Sequence, residues 1–276
     1  MKSPKTEEHA AFVIDTKNIK RLVQQGGFAF GMITETDPRA GLNNILLLPC
    51  VCNKTSDNGM ETVLGLRAVT SNGFYATSSY AIVKQGDTKF TEMVQSGKGI
   101  CLPPQTISLI SNLLKSETVT IYIFDTQLLI KDGNDIFVLI LASLAYPMQL
   151  LQVFDEPKYS FRFNITVNDL KVALNIVSVN SANPNTAAMV LDVGECGVTI
   201  FSKETGNKAT LKAEQIEGKA KITLCIKQIK EIITKGTTEV TSIVISGNGE
   251  TSPLHIKGGS CSAFTLPIIQ HSEVEE

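Results

Sequence analysis

Cys50-Val-Cys52 is the tightest pairing of reactive side chains in this 276-residue chain. It follows the apolar run Ile45-Leu-Leu-Leu, and side chains two apart on a strand share a face, so the two thiols are expected side by side. A zinc site needs four ligands at workable spacing. Cys101, Cys196, Cys225 and Cys261 make no C-x-x-C, and His9, His255 and His271 are scattered. Free, buried thiols in a reducing compartment are therefore the expected state, with no metal and no cofactor. Asp125, Asp132 and Asp135 cluster in sequence. They fall at strand ends and a hairpin, where solvated turn aspartates are the rule and a two-metal site is not. Neither G-x-x-x-x-G-K-S/T nor G-x-S-x-G occurs, and Lys257-Gly-Gly-Ser-Cys joins two strands rather than a strand and a helix. The residue types point away from an enzyme.

Charge is segregated instead. The chain has 25 Lys and Arg against 27 Asp and Glu, net −2, so a basic surface must be local. Apolar periodicity predicts four helices, over 16–25, 104–116, 167–178 and 226–236. They hold eight basic residues (Lys17, Lys20, Arg21, Lys115, Lys171, Lys227, Lys230, Lys235) against two acidic ones, Asp169 and Glu231. Such residues either solvate the outer faces of amphipathic helices or, where the helices line one surface, hold duplex phosphates without reading sequence.

The elements that must position these residues are written twice. Gly99 to Phe124 returns as Lys221 to Ser246, with Leu102 over Leu224, Ile107 over Ile229, Ile110 over Ile232, and Ile121 and Ile123 over Ile243 and Ile245. Phe12 to Val23 likewise matches Phe163 to Leu174, and Phe137-Val-Leu-Ile matches Ala263-Phe-Thr-Leu. The period is too long for a solenoid and suits two equivalent domains. These are expected over 1–148 and 159–276, joined by a linker over 149–158. Each copy reads as strand, helix, strands, helix and a closing meander, an α+β class of fold. Lys54 to Met60 is expected as a polar loop, residues 1–9 as frayed, and His271 to Glu276 as a short acidic tail. No run of 18 apolar residues occurs, and the first residues lack the apolar segment of a secretory signal.

Three motifs carry a resemblance. Val69-Thr-Ser-Asn-Gly-Phe-Tyr-Ala resembles the A-T-D-G-x-R-L-A turn of the DNA sliding clamp family, nearest to the bacterial DNA polymerase III beta subunit. Ile136-Phe-Val-Leu-Ile-Leu-Ala with Ala145-Tyr-Pro resembles that family's domain ending. Ser252-Pro-Leu-His-Ile with Phe264-Thr-Leu-Pro-Ile resembles its last domain. The resemblance implies duplicated clamp domains, each with two helices packed on antiparallel sheets. The bacterial subunit has three such domains and this chain has room for two, which implies a six-domain ring of three chains.

The same resemblance implies where the sites lie. The eight basic residues would face double-stranded DNA without sequence preference. Thr70, Gly73, Phe74, Tyr75, Leu150, Phe264, Leu266, Pro267 and Ile268 would form a groove for short peptides of a polymerase and a clamp loader. Phe74 and Tyr75 stand where the family often has a His-Arg pair, which alters the expected peptide preference. Phe137 and Leu139 on one side, Ile176 and Val177 on the other, would form the contact between chains. The expected activity is that of a non-enzymatic processivity factor in the cytoplasm, associated with the nucleoid. The competing expectations are a clamp-fold adaptor that binds proteins without closing a ring, and a small hydrolase on a duplicated α+β fold.

Overall fold

The structure is a computed structural model, and it describes residues 8–31, 37, 39–56, 59–154, 158–183 and 185–268. Residues 1–7 of the expected frayed start, part of the expected linker (155–157) and the acidic tail lie outside the described residues, whereas Glu8 and His9, expected to be frayed, belong to a strand. The chain divides into two compact units, Met1–Leu150 and Leu151–Glu276.

In the first unit, β1 (Glu8–Asp15) leads directly into α1 (Thr16–Gly26). Four strands follow: β2 (Ile45–Ser56), β3 (Gly59–Ser71), β4 (Tyr75–Ile82) and the two-residue β5 (Gln85–Gly86). Then come α2 (Thr88–Ser96), β6 (Ile100–Leu102) and α3 (Gln105–Leu113). The meander β7 (Thr118–Phe124), β8 (Gln127–Asp132) and β9 (Asp135–Ile140) ends it. Its strands lie in the orders β5-β1-β7-β8-β9 and β4-β3-β2-β6.

The second unit opens with β10 (Phe161–Thr166) and α4 (Val167–Val177). Next are β11 (Ala188–Gly194), β12 (Gly197–Phe201), β13 (Lys208–Leu211), β14 (Glu214–Glu217) and β15 (Ala220–Cys225). Then α5 (Ile226–Glu231) runs into a π turn over Ile232–Gly236, and β16 (Ser242–Gly247), β17 (Leu254–Gly258) and β18 (Cys261–Thr265) close the unit. The orders here are β14-β10-β16-β17-β18 and β13-β12-β11-β15. Strand for strand, these repeat the first unit.

The cause of the repetition is the paired apolar set. Leu102 and Leu224, Ile110 and Ile232, and Ile121 and Ile243 are all buried to within 1% of complete. Phe12 (2% exposed) and Phe163 (0%) each lie three residues before the residue that precedes their helix. They pair with Ile121 and Ile245, so in space Ile121 answers to Ile245 rather than to Ile243, a correction of two residues to the sequence alignment there. Fully burying a side chain of this kind contributes roughly 1.5–3 kcal/mol, so identical patterns drive identical layers.

Two local expectations need correction. Lys54 to Met60 is not a polar loop over its described residues: β2 runs to Ser56 and β3 begins at Gly59 as a ribbon, with Lys54 opposite Glu61 and Thr55 opposite Met60. Both faces are solvated there, so no apolar alternation marks the strands. The helix α2 is absent from the four that periodicity predicts. Asp87 caps it through Phe90 N (2.6 Å) while its other oxygen accepts from Ala11 N (2.9 Å). Only Phe90 and Met93 of its nine residues are buried, too short a stripe to read as periodic.

Candidate functional site

The predicted helices are present, and the structure sorts their cations into two kinds. Lys17 on α1, Lys115 just beyond α3, Lys171 on α4, and Lys227 and Lys235 of the α5 segment are exposed. Lys20 and Lys230 are not simply surface charge. Lys20 Nζ donates to Leu114 O (2.8 Å), fastening α1 to the end of α3. Lys230 Nζ donates to Ser178 Oγ (2.8 Å), fastening α5 to the end of α4, and burial lowers its pKa. Arg21 is half-buried and its Nη2 reaches Asn18 Oδ1 (3.4 Å).

Asp132 belongs to this fastening rather than to a metal cluster. Its two oxygens accept from Lys115 N (2.7 Å) and Ser116 N (2.9 Å), which fixes the chain as it leaves α3. Burial alone raises the carboxyl pKa, but the Ser116 and Lys115 hydrogen bonds and the Lys20 charge outweigh it and hold the group below its ordinary value. A carboxylate whose folded pKa is depressed stabilises the fold above its unfolded pKa of about 3.9, and that contribution disappears as pH falls through the folded value. Asp132→Asn is therefore expected to lose about 1–3 kcal/mol of unfolding free energy at pH 7, by urea titration. The difference should vanish once acid has protonated the wild-type carboxyl.

The residues assigned to a groove divide between the units. In the first, Asn72 builds the turn: its Oδ1 accepts from Phe74 N (2.9 Å) and Tyr75 N (3.0 Å). Ser71 Oγ donates to Tyr75 O (3.1 Å) and accepts from Gly73 N (3.1 Å). Gly73 takes φ +86°, which a side chain would resist. This lifts Phe74 into solvent at 64% exposure. Thr70 and Tyr75 are corrections, because both are buried. Thr70 Oγ1 accepts from Ala29 N (3.1 Å) and donates to Gly26 O (2.9 Å), and Tyr75 lies against Phe28 with ring centroids 6.3 Å apart. They brace the turn and offer little surface. Leu150 is half-buried.

In the second unit, Leu266 and Ile268 are exposed at the end of β18, and Pro267 is half-buried between them. Ile268 N donates to Thr223 O (2.8 Å), which anchors the segment on β15. Phe264 is buried beneath rings that the sequence did not announce. It stacks on His255 with centroids 4.2 Å apart and meets Phe154 edge-on at 5.3 Å. His255 is clamped by Tyr159 Oη at Nδ1 (2.5 Å) and by Ser262 Oγ at Nε2 (2.6 Å). Strand register was the available signal, since His255 and Phe264 are direct partners on β17 and β18.

Of the residues assigned to a contact between chains, Phe137, Leu139 and Val177 turn toward their own cores and Ile176 faces out. Leu139 is buried in its own unit's core and Phe137 packs against that core. Their neighbours on β9 face out: Ile136, Val138 and Ile140 are 60%, 52% and 66% exposed. β9 is the last strand of its sheet, so this apolar face sits on an open edge. On α4, Val177 is buried, whereas Ile176 and Val172 are exposed.

Among the described residues no group of three or more His, Cys, Asp or Glu is placed to hold a metal ion, and no helix is long and apolar enough to cross a membrane. No protein-family model and no curated protein sequence matches the chain. Solved structures do match, and they share a class: bacterial DNA polymerase III beta sliding clamps. The sliding clamp of Bacillus subtilis superposes with a TM-score of 0.75 at 19% identity, covering 98% of this chain and 67% of that one. The beta subunit of Thermotoga maritima gives 0.74 at 16% identity, over 98% of this chain and 68% of its own. A Bartonella birtlesii sliding clamp bound to griselimycin gives 0.73 at 17%, over 98% and 69%. The chain thus has the sliding-clamp fold and spans about two thirds of the length of these proteins.

Proposed function

We propose that this chain is a DNA sliding clamp, a processivity factor that encircles duplex DNA and tethers a polymerase and a clamp loader through short peptides. The observation that carries the reading is the clamp fold along 98% of the chain. The exposed lysines on both units' helices support sequence-independent contact with phosphates. Three chains would supply six clamp domains in a closed head-to-tail ring, whose one repeated interface needs two unlike edges. The protein would act in the cytoplasm, on the nucleoid. Light scattering tests the ring: a mass of about 90 kDa is expected from three chains of 29.9 kDa. Retention on nicked circular duplex but not on linear duplex tests the topology. A 29.9 kDa particle that leaves both DNAs equally fast would instead make the chain a clamp-fold adaptor. The engagement of Lys20 and Lys230 within their own units, which thins the positive surface, favours that second reading.

For the peptide groove, griselimycin is a ready probe, since the Bartonella birtlesii clamp is bound to it. Phe74→Ala is expected to leave urea stability within about 0.5 kcal/mol, because the ring is exposed. It should weaken griselimycin binding by at least about tenfold, the loss typical of an aromatic anchor. Unchanged affinity, measured by calorimetry, would remove Phe74 from the groove.

A further inference from the structure

The Cys50–Cys52 pair remains outside any clamp role. Its sulfurs are 3.9 Å apart, on one face of β2, and both residues are partly exposed. Across the ladder, Cys50 faces Gly65 and Cys52 faces Val63. Gly65 does not adopt a positive φ, so its backbone does not demand glycine. Space does: a Cβ there would stand 2.2 Å from Cys52 Sγ. The missing side chain makes the seat in which the Cys52 sulfur lies. The two sulfurs are within hydrogen-bonding reach of each other, and either thiol can be the donor.

Two uses of such a pair make different demands on geometry. A disulfide needs sulfurs about 2.05 Å apart and Cα atoms within about 6.8 Å. Residues two apart on an extended strand are already about 6.7 Å apart, at the wide end of that range. Closing 3.9 Å to a bond would bend the strand. A tetrahedral ion with metal–sulfur bonds of about 2.3 Å holds its two sulfurs about 3.8 Å apart. The observed spacing meets the second demand without movement.

We propose that Cys50 and Cys52 form a two-thiolate site for one thiophilic, tetrahedral divalent cation of the Zn2+ or Cd2+ class, its remaining positions filled by water. Binding replaces both thiol protons: two thiols and one divalent cation give the bis-thiolate complex and two released protons. The probe is Cd2+ added to the reduced, purified chain, followed by the ultraviolet thiolate-to-cadmium absorption band, with Zn2+ as competitor. The band is expected to saturate at one ion per chain and to be lost in Cys50→Ser and Cys52→Ser, but kept in Cys196→Ser. Zn2+ should also protect the Cys50–Cys52 peptide from alkylation, read by mass spectrometry. Gly65→Ala guards against misfolding of the serine variants: it keeps both thiols, crowds the seat and is expected to weaken the band. A band that survives Cys52→Ser would overturn the site, as would full binding by Gly65→Ala. Mild oxidation that removes two hydrogens from this peptide, with no protection by Zn2+, would replace it with a redox pair.

Discussion

Exchanging Lys17, Lys115, Lys171 and Lys227 together for glutamate is expected to abolish retention on nicked circular duplex. These four side chains are exposed, three on helices and Lys115 just beyond the end of α3, and both units contribute. Each phosphate left without its lysine lowers the slope of log affinity against log salt by about 0.9, so four reversals per chain remove most of the electrostatic attraction. Because the residues lie outside the cores, stability should change by no more than about 0.5 kcal/mol per site. The comparison that gives the result meaning is Lys20→Ala with Lys230→Ala. Those amines hold helix ends, so their removal should appear first as instability in urea. If the glutamate variant keeps an unaltered mass and slides off circular DNA no faster than the wild type, the helices do not face DNA.

The second large effect is expected at β9. Val138→Asp places a charge in the middle of the outward face formed with Ile136 and Ile140. A carboxylate buried there in a joint between chains, with no partner, costs several kcal/mol, enough to dissociate a complex of micromolar strength. The mass read by light scattering should fall from about 90 kDa to that of one 29.9 kDa chain. The variant should keep its unfolding transition, since Val138 contributes little to the core. Leu139→Asp, by contrast, is expected to unfold the unit, because Leu139 is 6% exposed. A Val138→Asp protein of unchanged mass would place the joint elsewhere.

The contrast between Val138 and Leu139 also shows which features a sequence leaves unwritten. The duplication was legible because burial demands apolar residues at recurring positions, which Phe12 and Phe163 and the isoleucines of β7 and β16 supply. Alternation alone left the register of β16 two residues off, since Ile121 answers to Ile245. Helices with a full apolar stripe, such as α1, were legible for the same reason. β9 was not. Its run Ile136-Phe-Val-Leu-Ile is apolar on both faces, so no alternation reveals which side meets the core. Capping by a single carboxylate, as Asp87 does for α2, is weak in sequence when only two residues of the helix are buried. Thr70 misled for a different reason. The resemblance alone placed it in the groove, yet here its hydroxyl joins Gly26, Ala29 and Thr77 in a buried hydrogen-bonded knot. His255 and the rings around it depend on which strands become neighbours, which no local pattern encodes.

The open edge of β9 has a consequence for mixtures. If joints run head to tail, every chain has one donor side and one acceptor side, and spoiling β9 leaves the other side competent. A Val138→Asp chain would then attach to a normal neighbour and terminate it, acting as a chain-stopper on assembly. A modest excess of spoiled copies would poison the intact ones, so harm in a cell carrying both would follow the ratio of the two proteins rather than the amount of good protein remaining.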